Sequence, residues 1–160
     1  SRILHIFSYH ITEYCGPDLE TIIAKGGYAM EHVKSWMRDL LSALKYINSL
    51  GISHRNLKPK KMCINMNGDK IGKLTLTGIK SPDLRNNKTG SRGHEPYKAI
   101  EVHVEWKDKD YDEKVDIWSM AVIFCELLTG VSLFSGPNFK NVLKVMIQLC
   151  GPVDEAVLKK

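Results

Sequence analysis

The sequence has no apolar run that approaches the ~20 residues a membrane-spanning helix needs, and its start does not combine a basic region with an apolar signal core. These absences predict a soluble intracellular protein without a membrane partner. The tripeptide Asn87-Lys88-Thr89 matches a glycosylation acceptor pattern. Without a secretory signal, we interpret this match as chance.

Cysteine is scarce, and its few positions are scattered without a C-x-x-C pair or a His at metal-ligand spacing. The pattern does not match the common zinc-binding or redox motifs. It predicts reduced structural thiols and no bound metal. The four cysteines are Cys15, Cys63, Cys125 and Cys150.

Long runs of like charge are also absent. The 23 basic and 18 acidic residues are interspersed and leave a net charge of +5, which fits only weak attraction to acidic surfaces. The chain lacks a nucleic-acid recognition motif and stacking aromatics interleaved with basic residues. We therefore expect no nucleic-acid partner.

At 160 residues, 43% of them hydrophobic, the chain fits one domain with a packed core. An apolar run over residues 3–12 predicts a strand. Asp18 is expected to cap a short helix through about Lys25, and apolar residues at three- and four-residue steps predict a long amphipathic helix from Glu31 to Leu50. Short apolar segments on both sides of Asn67-Gly68 predict an antiparallel hairpin within residues 62–76.

The second half of the chain begins with residues 78–92, which lack apolar periodicity and predict a long surface loop. Residues 115–129 are apolar on nearly every face, which predicts a helix through the centre of the domain with Gly130 as its C-terminal cap. One further amphipathic helix is predicted between Phe139 and Leu149. The expected fold class is mainly α with a small β-hairpin.

The most informative stretch is His54-Arg55-Asn56-Leu57-Lys58-Pro59-Lys60-Lys61. It resembles the catalytic loop of a protein kinase, H-R-D-L-x-x-x-N, in which the Asp accepts the substrate hydroxyl proton and the Asn holds a magnesium ion. Here those two positions are Asn56 and Lys61. An amide does not accept the proton as a carboxylate does, and an ammonium repels a divalent cation.

Three further motifs are Thr12-Glu13-Tyr14-Cys15-Gly16 with Asp18-Leu19, Tyr97-Lys98-Ala99-Ile100-Glu101, and Val115-Asp116-Ile117-Trp118-Ser119. In order and spacing they are similar to the hinge, the end of the activation segment and the start of the central helix in the large lobe of a mitogen-activated protein kinase, closest to the stress-activated branch. The resemblance covers essentially the whole chain. It implies a partial protein-kinase-like C-terminal lobe over residues 1–160, with a hinge strand at 3–16, the large lobe at 17–160, the small N-terminal lobe missing and the last helices not reached.

The resemblance also implies functional positions, residue by residue. The catalytic-loop positions are Asn56 and Lys58, both predicted to be inactive. Thr89 takes the place of a regulatory phosphorylation site, with an unmodified loop residue as the alternative, and Arg55 that of a phosphate-pairing residue, with a solvated arginine as the alternative. The nucleotide positions are Thr12, Glu13, Cys15, Asp18 and Lys61, and the docking surface falls on Ile22, Ile23, His32 and Val33 with the hairpin tip Met66-Asn67.

Two losses bear on cofactors. Leu76-Thr77-Gly78 occupies the D-F-G position, and Leu76 has no oxygen to offer magnesium. The chain contains neither a G-x-G-x-x-G loop nor a V-A-I-K lysine before the hinge-like strand. We therefore expect no magnesium, and ATP only if a small lobe is supplied.

His54 and Asp116 are expected to hold the loop backbone against the central helix through hydrogen bonds.

Three functional hypotheses follow. The first is a catalytically impaired pseudokinase, cytoplasmic or nuclear, that binds signalling proteins through basic-hydrophobic docking peptides, other kinases among them. The second is a divergent or fragmentary proline-directed Ser/Thr kinase using ATP, which Asn56, Lys61 and Leu76 oppose. The third is metal-independent nucleotide binding by Lys58, Lys60 and Lys61, against the alternative of a solvated basic patch.

Overall fold

The computed structural model describes residues 13–66, 68, 71–79, 95–103, 113–136 and 139–152. These residues are mostly helical with one two-stranded antiparallel sheet, as expected from the sequence. The strand predicted at 3–12 and most of the loop predicted at 78–92 lie outside them. The elements are α1 (Leu19–Lys25), α2 (Met30–Ser49), β1 (Met62–Ile64), β2 (Leu74–Leu76), α3 (Ile100–His103), α4 (Lys114–Thr129) and α5 (Phe139–Cys150), with 3₁₀ turns at Pro59–Lys61 and Glu95–Tyr97.

The first two helices lie within a residue of their predicted bounds. The Asp18 carboxylate accepts a hydrogen bond of 2.8 Å from the backbone N–H of Thr21, so it caps α1. At the start of α2, the ring nitrogen Nδ1 of His32 accepts the N–H of Ala29 at 3.1 Å. The buried side of α2 repeats at helical spacing, and its members are Val33, Trp36, Leu40, Leu44 and Ile47.

The predicted hairpin is present, but its connection is longer than a tight turn. Met62 lies opposite Leu76, and residues 65–73 connect the strands. Two side chains of α2 hold this connection and β2: the Trp36 indole N–H donates to the Gly72 carbonyl at 3.0 Å, and the Asp39 carboxylate accepts the Leu74 N–H at 3.0 Å. The hairpin geometry is therefore set by bonds to a helix and not by Asn67-Gly68 alone.

A single main core joins α1, α2, the hairpin, α4 and α5. Burial of each large aliphatic or aromatic side chain contributes about 1.5–3 kcal/mol, so this cluster is the chief source of stability. Leu40, Ile123 and Phe134 are among its most enclosed members. A smaller cluster of Ala99, Val102 and Val115 packs α3 against the start of α4.

The prediction that α4 runs through the centre of the domain is wrong for the part of the chain that the structure describes. One side of α4 packs into the core through Val122, Ile123 and Leu127. The other side exposes Ile117 by 42% and Leu128 by 46%, because the described elements cover α4 from one direction. Gly130 ends the helix in the left-handed conformation, with φ 74°, as predicted.

None of the helices that the structure describes has both the length and the apolar composition of a membrane span.

Candidate functional site: the altered catalytic loop

The loop that begins at His54 is attached to α4 by one buried carboxylate. Asp116, in the first turn of α4, accepts the backbone N–H of His54 at 2.7 Å and that of Arg55 at 2.8 Å. Its side chain is completely buried. Burial raises the pKa of the Asp116 carboxyl, and the two N–H donors offset part of that shift because they favour the charged form. The expected attachment of the loop to the central helix is confirmed.

Arg55 adopts a backbone conformation that is uncommon for a residue with a side chain. Its φ is 60°, in the left-handed region, which costs roughly 1–2 kcal/mol for a non-glycine residue. The bond from its N–H to Asp116 holds it there. Asp116 therefore stabilises a strained turn as well as connecting two elements.

The buried ring of His54 links the loop to the segment after β2. Its Nδ1 accepts the N–H of Asn56 at 3.3 Å, so in the neutral ring the proton lies on Nε2, which donates to the Thr77 carbonyl at 3.0 Å. Burial lowers the pKa of His54; the bond to the Thr77 carbonyl and the Asp116 charge offset part of this shift, and the Lys61 charge adds to it. A neutral ring at physiological pH follows, with both nitrogens used in structural bonds.

Lys61 lies where the resemblance places a metal ligand. Its carbonyl accepts the N–H of Thr77 at 2.8 Å and the Thr77 hydroxyl at 3.1 Å. Its side chain lies on Gly78: a Cβ built there would be 3.1 Å from Cδ and 3.2 Å from Nζ of Lys61. The ammonium therefore fills the space beside the Leu76-Thr77-Gly78 segment, while the Leu76 side chain packs against the core.

Lys61 is the last residue of the 3₁₀ turn that follows Lys58. The Lys58 carbonyl accepts the N–H of Lys61 at 2.8 Å, and Pro59 begins the turn, where a missing N–H costs nothing. Asn56 is bonded to His54, His54 to Thr77, and Thr77 to the Lys61 carbonyl, so one set of hydrogen bonds links the catalytic-loop positions to the segment that follows β2. Among the described residues, no group of three or more His, Cys, Asp or Glu is placed to hold a metal ion.

The hinge-like segment runs along β1 without forming a regular strand. The Pro17 carbonyl accepts the Ile64 N–H at 2.9 Å, and Asp18 pairs with Cys63 in an antiparallel bridge. Glu13 is exposed and Cys15 is half-buried. Thr12 and Thr89, predicted as nucleotide and phosphorylation positions, lie outside the described residues.

The predicted docking surface needs a correction. Ile23 and Val33 face the core, with exposures of 9% and 2%, because they belong to the apolar sides of α1 and α2. Ile22 is half-buried and His32 is exposed. Only these two of the four predicted side chains are accessible to a peptide, together with the exposed Met66 at the hairpin.

Several bonds that hold the site were not anticipated from the sequence. The Tyr97 hydroxyl donates to Glu126 at 2.7 Å, and the Ser119 hydroxyl donates to the Tyr97 carbonyl at 2.6 Å. Burial and the Glu126 carboxylate raise the pKa of Tyr97. These bonds connect the end of the predicted activation segment to α4. The only signal in the sequence is that Tyr97 and Ser119 lie within motifs that resemble a kinase.

Comparison with known proteins agrees with the motifs. The family described as Protein kinase domain matches residues 5–155. The chain is 35% identical over 151 residues to mitogen-activated protein kinase hog1 of Aspergillus terreus. The matched region covers 93% of this chain and 40% of that protein. Identity is 34% to mitogen-activated protein kinase HOG1 of Ustilaginoidea virens (94% and 40% covered) and to mitogen-activated protein kinase sakA of Aspergillus fumigatus (93% and 40%). The chain therefore spans about 40% of the length of these relatives. The resemblance to mitogen-activated protein kinases is confirmed.

Proposed function

The chain belongs to the protein kinase domain family, and we propose that it is a catalytically impaired member that acts through protein–protein interaction in kinase signalling. The observation that carries this proposal is the position of Lys61, whose ammonium lies against Gly78 beside a core-packed Leu76. Kinase catalysis depends on metal ions held next to this segment. A cation there opposes metal binding.

The magnitude of the repulsion supports the proposal. A divalent ion about 4 Å from an ammonium is disfavoured by on the order of 8 kcal/mol at an effective dielectric constant near 20. Loss of a general base, as at Asn56, typically costs a further ~10²–10⁴-fold in rate. Either change reduces phosphotransfer strongly, and both occur in one loop that Asp116 still holds in place.

The interaction surface that we propose joins α1 to the start of α2. Ile22 offers a half-buried apolar contact, and the exposed His32 ring lies 5.7 Å from the ring of Trp36. Glu20 and Glu31, in the first turns of the two helices, are exposed and acidic. A partner segment with both basic and hydrophobic residues complements this composition.

The absence of catalysis is tested by transfer of labelled phosphate from ATP to a proline-directed peptide across a range of magnesium concentrations. We expect incorporation equal to that of the Lys58→Ala variant, because Asn56 and Lys61 remove the base and oppose the metal. Magnesium-dependent transfer above this control would contradict the proposal and favour the alternative, a divergent Ser/Thr kinase.

Docking is tested by fluorescence anisotropy with a labelled basic-hydrophobic peptide. We expect a Kd of about 10–50 µM, in the range of transient contacts, and a weakening of ~10-fold or more in Ile22→Asp, since a charge replaces the apolar contact. Ala24→Asp is the matched control, because Ala24 is exposed on the same helix about 200° around from Ile22. Equal affinity for the two variants, or no binding at all to the wild type, would count against this surface.

A further inference from the structure

The buried ring of His54 bonds through both of its nitrogens, and the two bonds run in opposite directions. Nε2 lies 3.0 Å from the Thr77 carbonyl, which can only accept, so this nitrogen carries a proton. Nδ1 lies 3.3 Å from the backbone nitrogen of Asn56, whose N–H can only donate, so this nitrogen carries none. The two contacts together require the neutral ring with its proton on Nε2.

A second proton, on Nδ1, is incompatible with this arrangement. Both nitrogens of a charged histidine are donors, so the bond from Asn56 would become a contact between two N–H groups. Only 6% of the His54 surface is exposed, so water does not easily replace the lost partner. The bond to Thr77 is unaffected, since it uses the proton that Nε2 already carries.

The loop is anchored on both sides of Asn56 by contacts that do not use Nδ1 of His54. Before Asn56, the Asp116 carboxylate accepts the N–H groups of His54 and Arg55 at 2.7 and 2.8 Å. After it, Leu57 packs in the main core with 1% of its surface exposed. Loss of the bond to Nδ1 therefore frees the Asn56 peptide while its neighbours stay in place.

We propose that His54 is a proton-operated latch, which holds the backbone of Asn56 while its ring is neutral and releases it when Nδ1 takes up a proton. Asn56 lies where the resemblance places the catalytic base, so the latch controls the conformation at the centre of the altered loop. This inference is independent of the proposed function, because it concerns how the loop is held and not what the loop binds.

The groups that face His54 set the pH range of the latch. Burial has the largest influence and lowers the pKa of His54 below its ordinary value of 6.5; the bond to Thr77 and the charge of Asp116, from α4, oppose this shift, and the charge of Lys61, from the 3₁₀ turn, adds to it. As the pH falls, the unfolded chain therefore takes up this proton before the folded one. The stabilisation is complete above about pH 6.5 and is lost as the pH falls toward the folded-state pKa.

The test is an NMR titration of the isotopically labelled full chain from about pH 7.5 to about pH 5. The nitrogen chemical shifts of the ring report the protonation of His54. Hydrogen exchange of each loop amide, corrected for its intrinsic pH dependence, reports how well that amide is protected. We expect protonation of Nδ1 and loss of protection at Asn56 to follow one curve, with a loss of about 5-fold or more, as for one hydrogen bond.

The neighbouring amides distinguish the latch from a general loosening in acid. Burial raises the pKa of Asp116, so this carboxyl also takes up a proton in acid, which weakens the bonds from the His54 and Arg55 N–H groups. The latch predicts that the Asn56 amide loses protection while these two amides keep theirs. Loss at all three together, an Asn56 amide that is unprotected at neutral pH or unchanged when the ring becomes charged, or a ring that stays neutral until the chain unfolds would overturn the proposal.

Two variants provide controls. His54→Phe keeps an aromatic ring without nitrogens, so we expect low Asn56 protection at every pH, with circular dichroism to establish that the variant is folded. If it does not fold, the wild-type titration decides alone. His32→Gln is the matched control, because His32 is exposed and its Nδ1 also accepts a backbone N–H, that of Ala29 at 3.1 Å. Protection of Asn56 that still depends on pH in folded His54→Phe, or a dependence that disappears in His32→Gln, would contradict the latch.

Discussion

Replacing Asp116 with alanine is expected to destabilise the protein by about 3–5 kcal/mol, a large part of the 5–15 kcal/mol that a domain typically has. The buried N–H groups of His54 and Arg55 would lose their acceptor at 2.7 and 2.8 Å. Arg55 would also lose the bond that holds its left-handed backbone. Urea unfolding followed by circular dichroism measures the change.

Two further variants show whether the acceptor atoms of Asp116 are responsible. Asp116→Asn keeps the shape and one acceptor oxygen, so about half of the alanine effect is expected. Glu113→Gln, an exposed position just before the same helix with no side-chain cap, should stay within about 0.5 kcal/mol of the wild type. An Asp116→Ala protein as stable as Glu113→Gln would show that the loop is held by other contacts.

Substitution of Gly16 by alanine is expected to cost about 2–5 kcal/mol, the second large effect. The added Cβ would overlap the carbonyl oxygen of Ile64 and lie 3.1 Å from its carbonyl carbon. These are backbone atoms of β1, so they cannot rotate away as a flexible side chain would. The φ of 97° adds the strain of a conformation that disfavours a side chain.

Gly27→Ala is the matched control for Gly16→Ala. Its φ of 79° imposes a similar backbone strain, but nothing lies within 4 Å of an added Cβ. We therefore expect only about 1–2 kcal/mol at Gly27. The difference between the variants, measured by urea unfolding, isolates the contact with β1. Equal losses would show that the hinge-like segment is not closely packed on the strand in solution.

The helices were predictable because their signals are local. The Asp18 cap, the apolar spacing of α2 and the glycine after α4 each act within one or two turns of chain, and the bounds of α1, α2 and α4 agree with the prediction to within a residue. The kinase-like motifs likewise stand as continuous stretches. These elements can be predicted without the rest of the fold, because the interactions that form them are local.

Parts of the candidate site were not predictable, because they depend on which surfaces meet. The resemblance places Ile23 and Val33 on a docking surface, whereas both side chains pack in the core. A periodic apolar stripe does not reveal whether it faces a partner or the protein's own core. The same ambiguity led to the wrong expectation for α4, whose composition is apolar on faces that the described elements leave exposed.

The identities of Asn56, Lys61 and Leu76 were sufficient to predict a loop without its usual base and metal ligands, since charge and donor chemistry belong to the residue itself. Tertiary packing decided that the Lys61 ammonium lies on Gly78, and it placed Pro17 and Asp18 against β1. Those contacts join segments that are distant along the chain. Their formation depends on long-range packing, whose free energy is absent from any short window of sequence.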